Sequence, residues 1–148
     1  MIYIDTNVLY SYLFETPISE NAERILELPE KVTSKVAINE AVYVVFRRLA
    51  RDKGITNVYE AKKFAKLKEG QYLLEQAYST VMELVQLSGI TVVEEEDDFE
   101  ILKDISREYG LLPNDAIIVA TCVKHGITKI ATFDSDFDNV PFLKIVRG

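Results

Sequence analysis

Four carboxylates in this sequence stand in apolar settings, and together they have the chemistry to hold a hard cation. Asp5 ends the short apolar run Ile2-Tyr3-Ile4 and is followed by two small polar residues, Thr6 and Asn7. Glu40 has Val36, Ala37 and Val44 one helical turn away and Ala41 beside it, which places it within an apolar stripe. Asp115 opens the apolar segment Ala116-Ile117-Ile118-Val119-Ala120. Asp134 follows Lys129-Ile130-Ala131-Thr132, a second strand-like run, with Asp136 close behind. Each acid also has an ordinary reading. Asp5 would serve as a helix cap, Glu40 as half of an ion pair or as a stripe edge exposed to water, Asp115 as a first-turn acid favoured by the helix dipole, and Asp134 as a turn residue.

What separates the two readings is the set. Four carboxylates brought together without a counter-charge repel one another, and a buried, unpaired carboxylate costs several kcal/mol. All-oxygen ligands favour Mg²⁺ or Mn²⁺. The chain has one histidine and one cysteine, which excludes a zinc site built from several such ligands. His125 and Cys122 fall three apart on one helix, and His125 beside Gly126 reads as a helix-end residue. No glycine-rich phosphate loop and no Gly-x-Ser-x-Gly elbow is present. The stretch from Asp134 to Asn139 starts like a calcium loop, but it lacks glycine at the sixth place and has Ile145 at the twelfth.

The elements needed to bring these acids together are legible in the periodicity. Residues 2–5, 31–34, 90–93, 129–132 and 142–146 read as strands. Helical patterns cover 6–14, 19–28, 36–52, 57–88, 97–109 and 113–125, with Gly70 marking a break in the fourth. Strands alternating with helices predict a single α/β domain over 1–148, a three-layer sandwich with a mainly parallel central sheet. Ligands gather at the carboxyl ends of strands in such sheets, which is where Asp5 and Asp134 fall.

Charge is uneven. The net value is −7, against simple binding to a nucleic-acid backbone. Yet residues 94–100 alone hold six acids, and residues 47–68 hold eight Lys/Arg against two acids. The basic stretch beside acidic chemistry is compatible with a nuclease, and its ordinary reading is a solvated helical surface. No apolar stretch approaches the ~18 residues of a membrane span, no basic region leads into a secretory leader, and the single cysteine has no internal partner. A cytoplasmic protein is expected.

Taken in order, Asp5-Thr6-Asn7, Asn39-Glu40, Asp115 through Ala120, and Thr132-Phe133-Asp134 with Phe137 resemble the four motifs of the PIN-domain family, and within it the VapC-type toxin ribonucleases. The resemblance spans the chain, although residues 55–89 and the acidic run match no motif. It implies Mg²⁺- or Mn²⁺-dependent hydrolysis of phosphodiester bonds in single-stranded or looped RNA. It also implies a small antitoxin that blocks the acidic site, and a homodimer. Asp5, Asp115, Glu40 and Asp134 would be the catalytic metal ligands, the last two directly or through water. Thr6 and Thr132 are expected to orient Asp5, Asn7 to hold the strand-end turn, and Asp136 to assist. Arg47, Arg48 and Arg51 are candidates to guide the RNA backbone, and Tyr10, Tyr12 and Phe14 to stack on bases.

Other readings stay open at this point. The same acids serve a structure-specific DNA nuclease or an RNA-processing nuclease. A haloacid-dehalogenase-type phosphatase wants Asp-x-Asp where Asn7 stands, and a receiver domain gives Glu40 and Asp115 no role. A non-catalytic binding module would use the acids structurally.

Overall fold

The apolar strands pair as their composition demands. A computed structural model describes residues 1–148. It contains five short strands, β1 (Ile2–Ile4), β2 (Lys31–Thr33), β3 (Thr91–Val92), β4 (Lys129–Ala131) and β5 (Lys144–Val146), in one sheet of order β3-β2-β1-β4-β5. Every pairing is parallel, with Tyr3 opposite Val32 on one side and Ile130 on the other. The central strand β1 is therefore buried on both faces. Its successive side chains part accordingly, Tyr3 into one core and Ile4 into the other, and Ile130 and Ala131 divide the same way.

Helices cover both faces, giving the expected α/β sandwich. On the Ile4 side lie α1 (Thr6–Leu13), α2 (Ser19–Leu26), α3 (Lys35–Arg51), α4 (Val58–Phe64) and α5 (Lys68–Leu87). On the Tyr3 side lie α6 (Phe99–Tyr109) and α7 (Pro113–His125). The two cores are mostly aliphatic, with Leu9, Ile25, Val45 and Val81 in the first and Ile118 and Val119 beside the aromatic Phe137 in the second. No helix is long and apolar enough to cross a membrane.

One predicted feature is corrected. The break within 57–88 falls between Phe64 and Lys68, and Gly70 lies inside α5. Gly70 is there for close approach: a Cβ on it would come within 1.7 Å of the Phe64 carbonyl oxygen. The glycine lets the first turn of α5 press on the last turn of α4, so the two helices fold back without a long loop.

The order of the strands fixes where function must sit. β1 and β4 are neighbours that run the same way, so the segments after Ile4 and after Ala131 leave the sheet side by side. The Asp5 amide donates to the Ala131 carbonyl at 3.0 Å, one step beyond the last strand pair.

Candidate active site

Asp5 and Asp134, 129 positions apart in sequence, line one cavity of about 200 Å³ together with Glu40, Asp115 and Asp136. Thr6, Asn7, Tyr10 and Val44 complete its wall. The four predicted acids are thus brought together, and the additional acid Asp136 joins them.

Asp5 is the N-cap of α1 and is 6 % exposed. Its Oδ1 accepts the Thr6 amide at 2.8 Å, and its Oδ2 accepts the Thr132 hydroxyl at 2.9 Å. Burial nevertheless wins over these bonds. It pushes the Asp5 carboxyl up to about 7, with the neighbouring Asp134 and Glu40 charges adding to the rise. Asp115, half-buried in the first turn of α7, is pushed up to about 6, first by burial and then by Asp136, Asp134 and Glu40. Asp136 is exposed, and its carboxyl is raised chiefly by Asp134. Burial and the neighbouring acids together disfavour the charged forms of Asp5 and Asp115.

The loop after β4 is held from two sides. Asn7 Nδ2 donates to Asp134 Oδ2 at 3.0 Å and to Thr132 Oγ1 at 3.1 Å, while Asn7 Oδ1 accepts the Phe133 amide at 3.1 Å. Arg147 Nη1 reaches the carbonyls of Thr132 and Asp134 at 3.4 and 3.3 Å. Asn7 therefore does more than hold its own turn; it sets where Asp134 points.

Two sequence readings change. Glu40 is exposed, on the flank of α3 rather than within its buried stripe. That stripe runs through Ala37, Ile38, Ala41, Val42 and Val45, so Glu40 opens onto the cavity and needs no partner on grounds of burial. Thr6 orients Asp5 through its amide and not its hydroxyl. The hydroxyl donates to Ala37 O at 2.9 Å and lies 3.5 Å from Glu40 Oε2, tying α1 to the helix that carries Glu40.

One supporting residue was missed. Glu95, within the acidic run that matches no motif, accepts the Ser34 hydroxyl and the Val36 amide on one oxygen, both at 2.7 Å. Ser34 in turn meets the Tyr3 hydroxyl at 2.5 Å. Glu95 thereby satisfies the start of α3, which has no acid in its own first turn. That missing acid was the available signal. The run is pinned elsewhere too: the His125 ring meets Glu94 O at 2.6 Å, and Lys124 donates to Glu95 O at 3.2 Å.

Among the basic and aromatic candidates, Tyr10 lines the cavity, with Arg48 Nη1 donating to its hydroxyl at 3.1 Å. Arg47 is engaged by Tyr43 and by the Thr56 carbonyl. Arg51 is exposed in the last turn of α3. Phe14 caps α1 and lies beneath Arg48, while Tyr12 faces a separate cleft with Leu84 and Leu87.

The donor set suits a hard divalent cation in kind: carboxylate oxygens only, in one cavity, with the Asp5 and Asp115 carboxyls raised chiefly by burial. No three of the acids converge into a closed ligand cage.

Comparison with known proteins agrees with this fold. The model of the PIN domain family matches residues 2–143. Ribonuclease VapC6 of Methanocaldococcus jannaschii is 33 % identical over 115 residues, covering 76 % of this chain and 72 % of the relative. Ribonuclease VapC2 of the same organism is 29 % identical over 151 residues, covering 99 % and 93 %. A chain of a toxin-antitoxin complex from Klebsiella pneumoniae shares the fold, with a TM-score of 0.57, 23 % identity, and coverage of 97 % of this chain and 96 % of that one.

Proposed function

This chain belongs to the PIN domain family, and we propose that within it the chain is a VapC-type endoribonuclease, the toxin of a toxin–antitoxin pair. The observation that carries the reading is the single cavity, at the carboxyl ends of β1 and β4, lined by five carboxylates. Relatives named as ribonucleases supply the substrate class.

Asp5 and Asp115 are the principal ligands of a divalent cation, Mg²⁺ or Mn²⁺, and Glu40 and Asp134 complete the set. When bound, the cation supplies positive charge for the phosphate and acidifies water towards neutral pH. The chain's own residues do the rest. The Thr6 amide and the Thr132 hydroxyl fix both oxygens of Asp5. Asn7 fixes Asp134, and Thr6 bridges to Glu40. Asp136, at the exposed rim, is placed to bind through water. Asp5 and Asp115, whose carboxyls are raised chiefly by burial, would hold the cation in their ionised form. The basic end of α3, with Arg47, Arg48 and Arg51, draws the RNA backbone towards the acids.

The same reading extends to cytoplasmic action by one PIN-like unit over 1–148, to homodimerisation, and to a small antitoxin as protein partner. The test is cleavage of a defined RNA panel with Mg²⁺ or Mn²⁺. Wild type should cleave, EDTA should stop it, and Asp5→Asn should abolish it while the fold survives. Full cleavage by the Asp5→Asn protein, free of contaminating nuclease, would sink the site.

A further inference from the structure

The acids account for only part of the cavity wall; Tyr10 and Val44 are the remaining large side chains on it. Tyr10 lies one turn beyond Thr6 on α1, and Val44 one turn beyond Glu40 on α3. One further turn along each brings Phe14 and Arg48. The two helices therefore carry paired rows, Thr6–Tyr10–Phe14 and Glu40–Val44–Arg48. The rows are joined near the acids by the Thr6 hydroxyl, which reaches Ala37 O and Glu40. At the far end Arg48 joins them by donating to the Tyr10 hydroxyl. Eight residues of helix separate Glu40 from Arg48, about 12 Å along the axis. The seam thus leads from a cluster of anions to a cation.

That cation is supported on aromatic rings. The Arg48 guanidinium carbon sits 4.9 Å from the centroid of Phe14, and the Phe14 and Tyr10 rings lie 5.0 Å apart at 37°. Arg48 Nε faces Asp52 at 3.9 Å in an exposed pair, a weak competitor. Its Nη2 donates no hydrogen bond, and the side chain is 37 % exposed. Arg47, by contrast, spends both terminal nitrogens on Tyr43 and Thr56. Arg48 is the arginine with donors left over beside the cavity, and its planar fork matches a phosphate. Tyr10, pinned at its hydroxyl and backed by Phe14, is a rigid aromatic wall.

We propose that Tyr10 and Arg48 form a nucleotide subsite on the α1–α3 seam: Tyr10 stacks on the base next to the cleaved phosphate, and Arg48 takes a phosphate further along. The inference rests on the nuclease reading and sharpens its substrate to an unpaired strand, because a base inside a duplex has no free face to offer. It also gives the polyanion a direction in a chain of net charge −7. One phosphate meets the acids, and a later one meets the cation.

The test is fluorescence anisotropy of an end-labelled single-stranded RNA with Mg²⁺, in an Asp5→Asn host so that the RNA stays whole. Adding Tyr10→Ala should weaken binding about tenfold, whereas Tyr10→Phe should keep most of it. Adding Arg48→Ala should weaken binding several-fold and reduce the slope of log affinity against log salt by about 0.7, with Arg48→Lys restoring the slope. A blunt RNA duplex of the same length should bind more weakly and ignore Tyr10→Ala. In the cleaving protein, both alanine variants should raise KM and leave kcat within about threefold. Affinity within twofold of the host for Tyr10→Phe, Tyr10→Ala and Arg48→Ala alike, with native circular dichroism, overturns the subsite, as does equal binding of the duplex. If the affinities change as expected but wild type cleaves no RNA, the subsite stands and the nuclease reading fails.

Discussion

The Thr132 hydroxyl donates to Asp5 Oδ2 at 2.9 Å, joining the end of β4 to the end of β1 across 127 positions of sequence. Thr132 Oγ1 itself accepts from Asn7 Nδ2 at 3.1 Å, and Asn7 Nδ2 also donates to Asp134 Oδ2 at 3.0 Å, so the hydroxyl links Asp5 through Asn7 to Asp134. Thr132→Val keeps the shape and removes the hydroxyl. It leaves Asp5 with the Thr6 amide as its one remaining partner and strips an acceptor from Asn7. Loss of such an orienting bond costs about 10–100-fold in metal affinity or activity. The buried groups left unpaired cost about 1–3 kcal/mol. The expected result is a matching fall in kcat/KM at sub-saturating Mg²⁺, with rescue by Thr132→Ser. A Thr132→Val protein with wild-type metal dependence would remove Thr132 from any part in positioning Asp5.

Stability without metal should fall as pH rises. The Asp5 carboxyl lies at about 7 and that of Asp115 at about 6, both above the usual 3.8. Between pH 4 and 7 the folded chain therefore holds protons that the unfolded chain has released. Where the native state binds more protons, unfolding free energy decreases with pH. For Asp5 alone the change approaches about 4 kcal/mol, as an upper bound. Thermal melts in EDTA should give a higher Tm at pH 5 than at pH 8, and Asp5→Asn should flatten the difference. A Tm that rises from pH 5 to pH 8 would contradict the raised carboxyls.

Divalent metal should reverse that dependence. A ligand bound only by the native state stabilises it, and millimolar Mg²⁺ or Mn²⁺ is expected to raise Tm. The gain should be larger at pH 8 than at pH 5, because at pH 5 the cation competes with protons on Asp5 and Asp115. Calorimetry in buffers of different ionisation heat should register proton release on binding at pH 6.5. Absence of both a Tm shift and proton release would count against a metal site in this cavity.

Glu95 offers a test of support at a distance. Its carboxylate satisfies the Val36 amide and the Ser34 hydroxyl where α3 begins, four residues before Glu40. Glu95→Ala should cost about 1–3 kcal/mol, the usual price of stranding partly buried donors. Glu95→Gln keeps an acceptor and should cost about half as much. Both costs should appear in chemical denaturation, with activity reduced for Glu95→Ala through the start of α3. An unchanged denaturation midpoint for Glu95→Ala would make the contact incidental.

The sequence carried the strands, most helices and the four acids because each rests on a local pattern. Apolar runs end at Asp5 and just before Asp134, Pro113 opens α7, and Gly126 closes it with a left-handed φ of 66°. What was not legible depends on facing surfaces. Glu40 has apolar neighbours at helical spacing, yet α3 turns that flank to the cavity, and a wheel cannot say which side of a stripe meets water. Glu95 sits among six acids that look alike, and only the placement of β3 beside β2 brings it to Ser34. Arg47 and Arg48 are adjacent in sequence, yet Arg47 meets Tyr43 of its own helix and the Thr56 carbonyl in the loop that follows, whereas Arg48 faces Tyr10 of α1.

Gly70 tests the reading of its own neighbourhood. Sequence alone treats it as a helix breaker, so alanine there should help by about 1 kcal/mol. The structure predicts the opposite sign. A Cβ would meet the Phe64 carbonyl oxygen at 1.7 Å and its carbon at 2.4 Å, both backbone atoms that no rotamer change can clear. Relief requires α4 and α5 to part, which loosens Phe64 from Phe46 in the core, where their rings stack at 6.3 Å. Overpacking of this kind costs about 1–3 kcal/mol or more, or a Tm lower by roughly 3–9 °C for a chain of this size. RNA cleavage at 25 °C should persist, because the junction lies outside the acid cavity. A Gly70→Ala protein melting at or above the wild-type temperature would show that the two helices do not press together at this point.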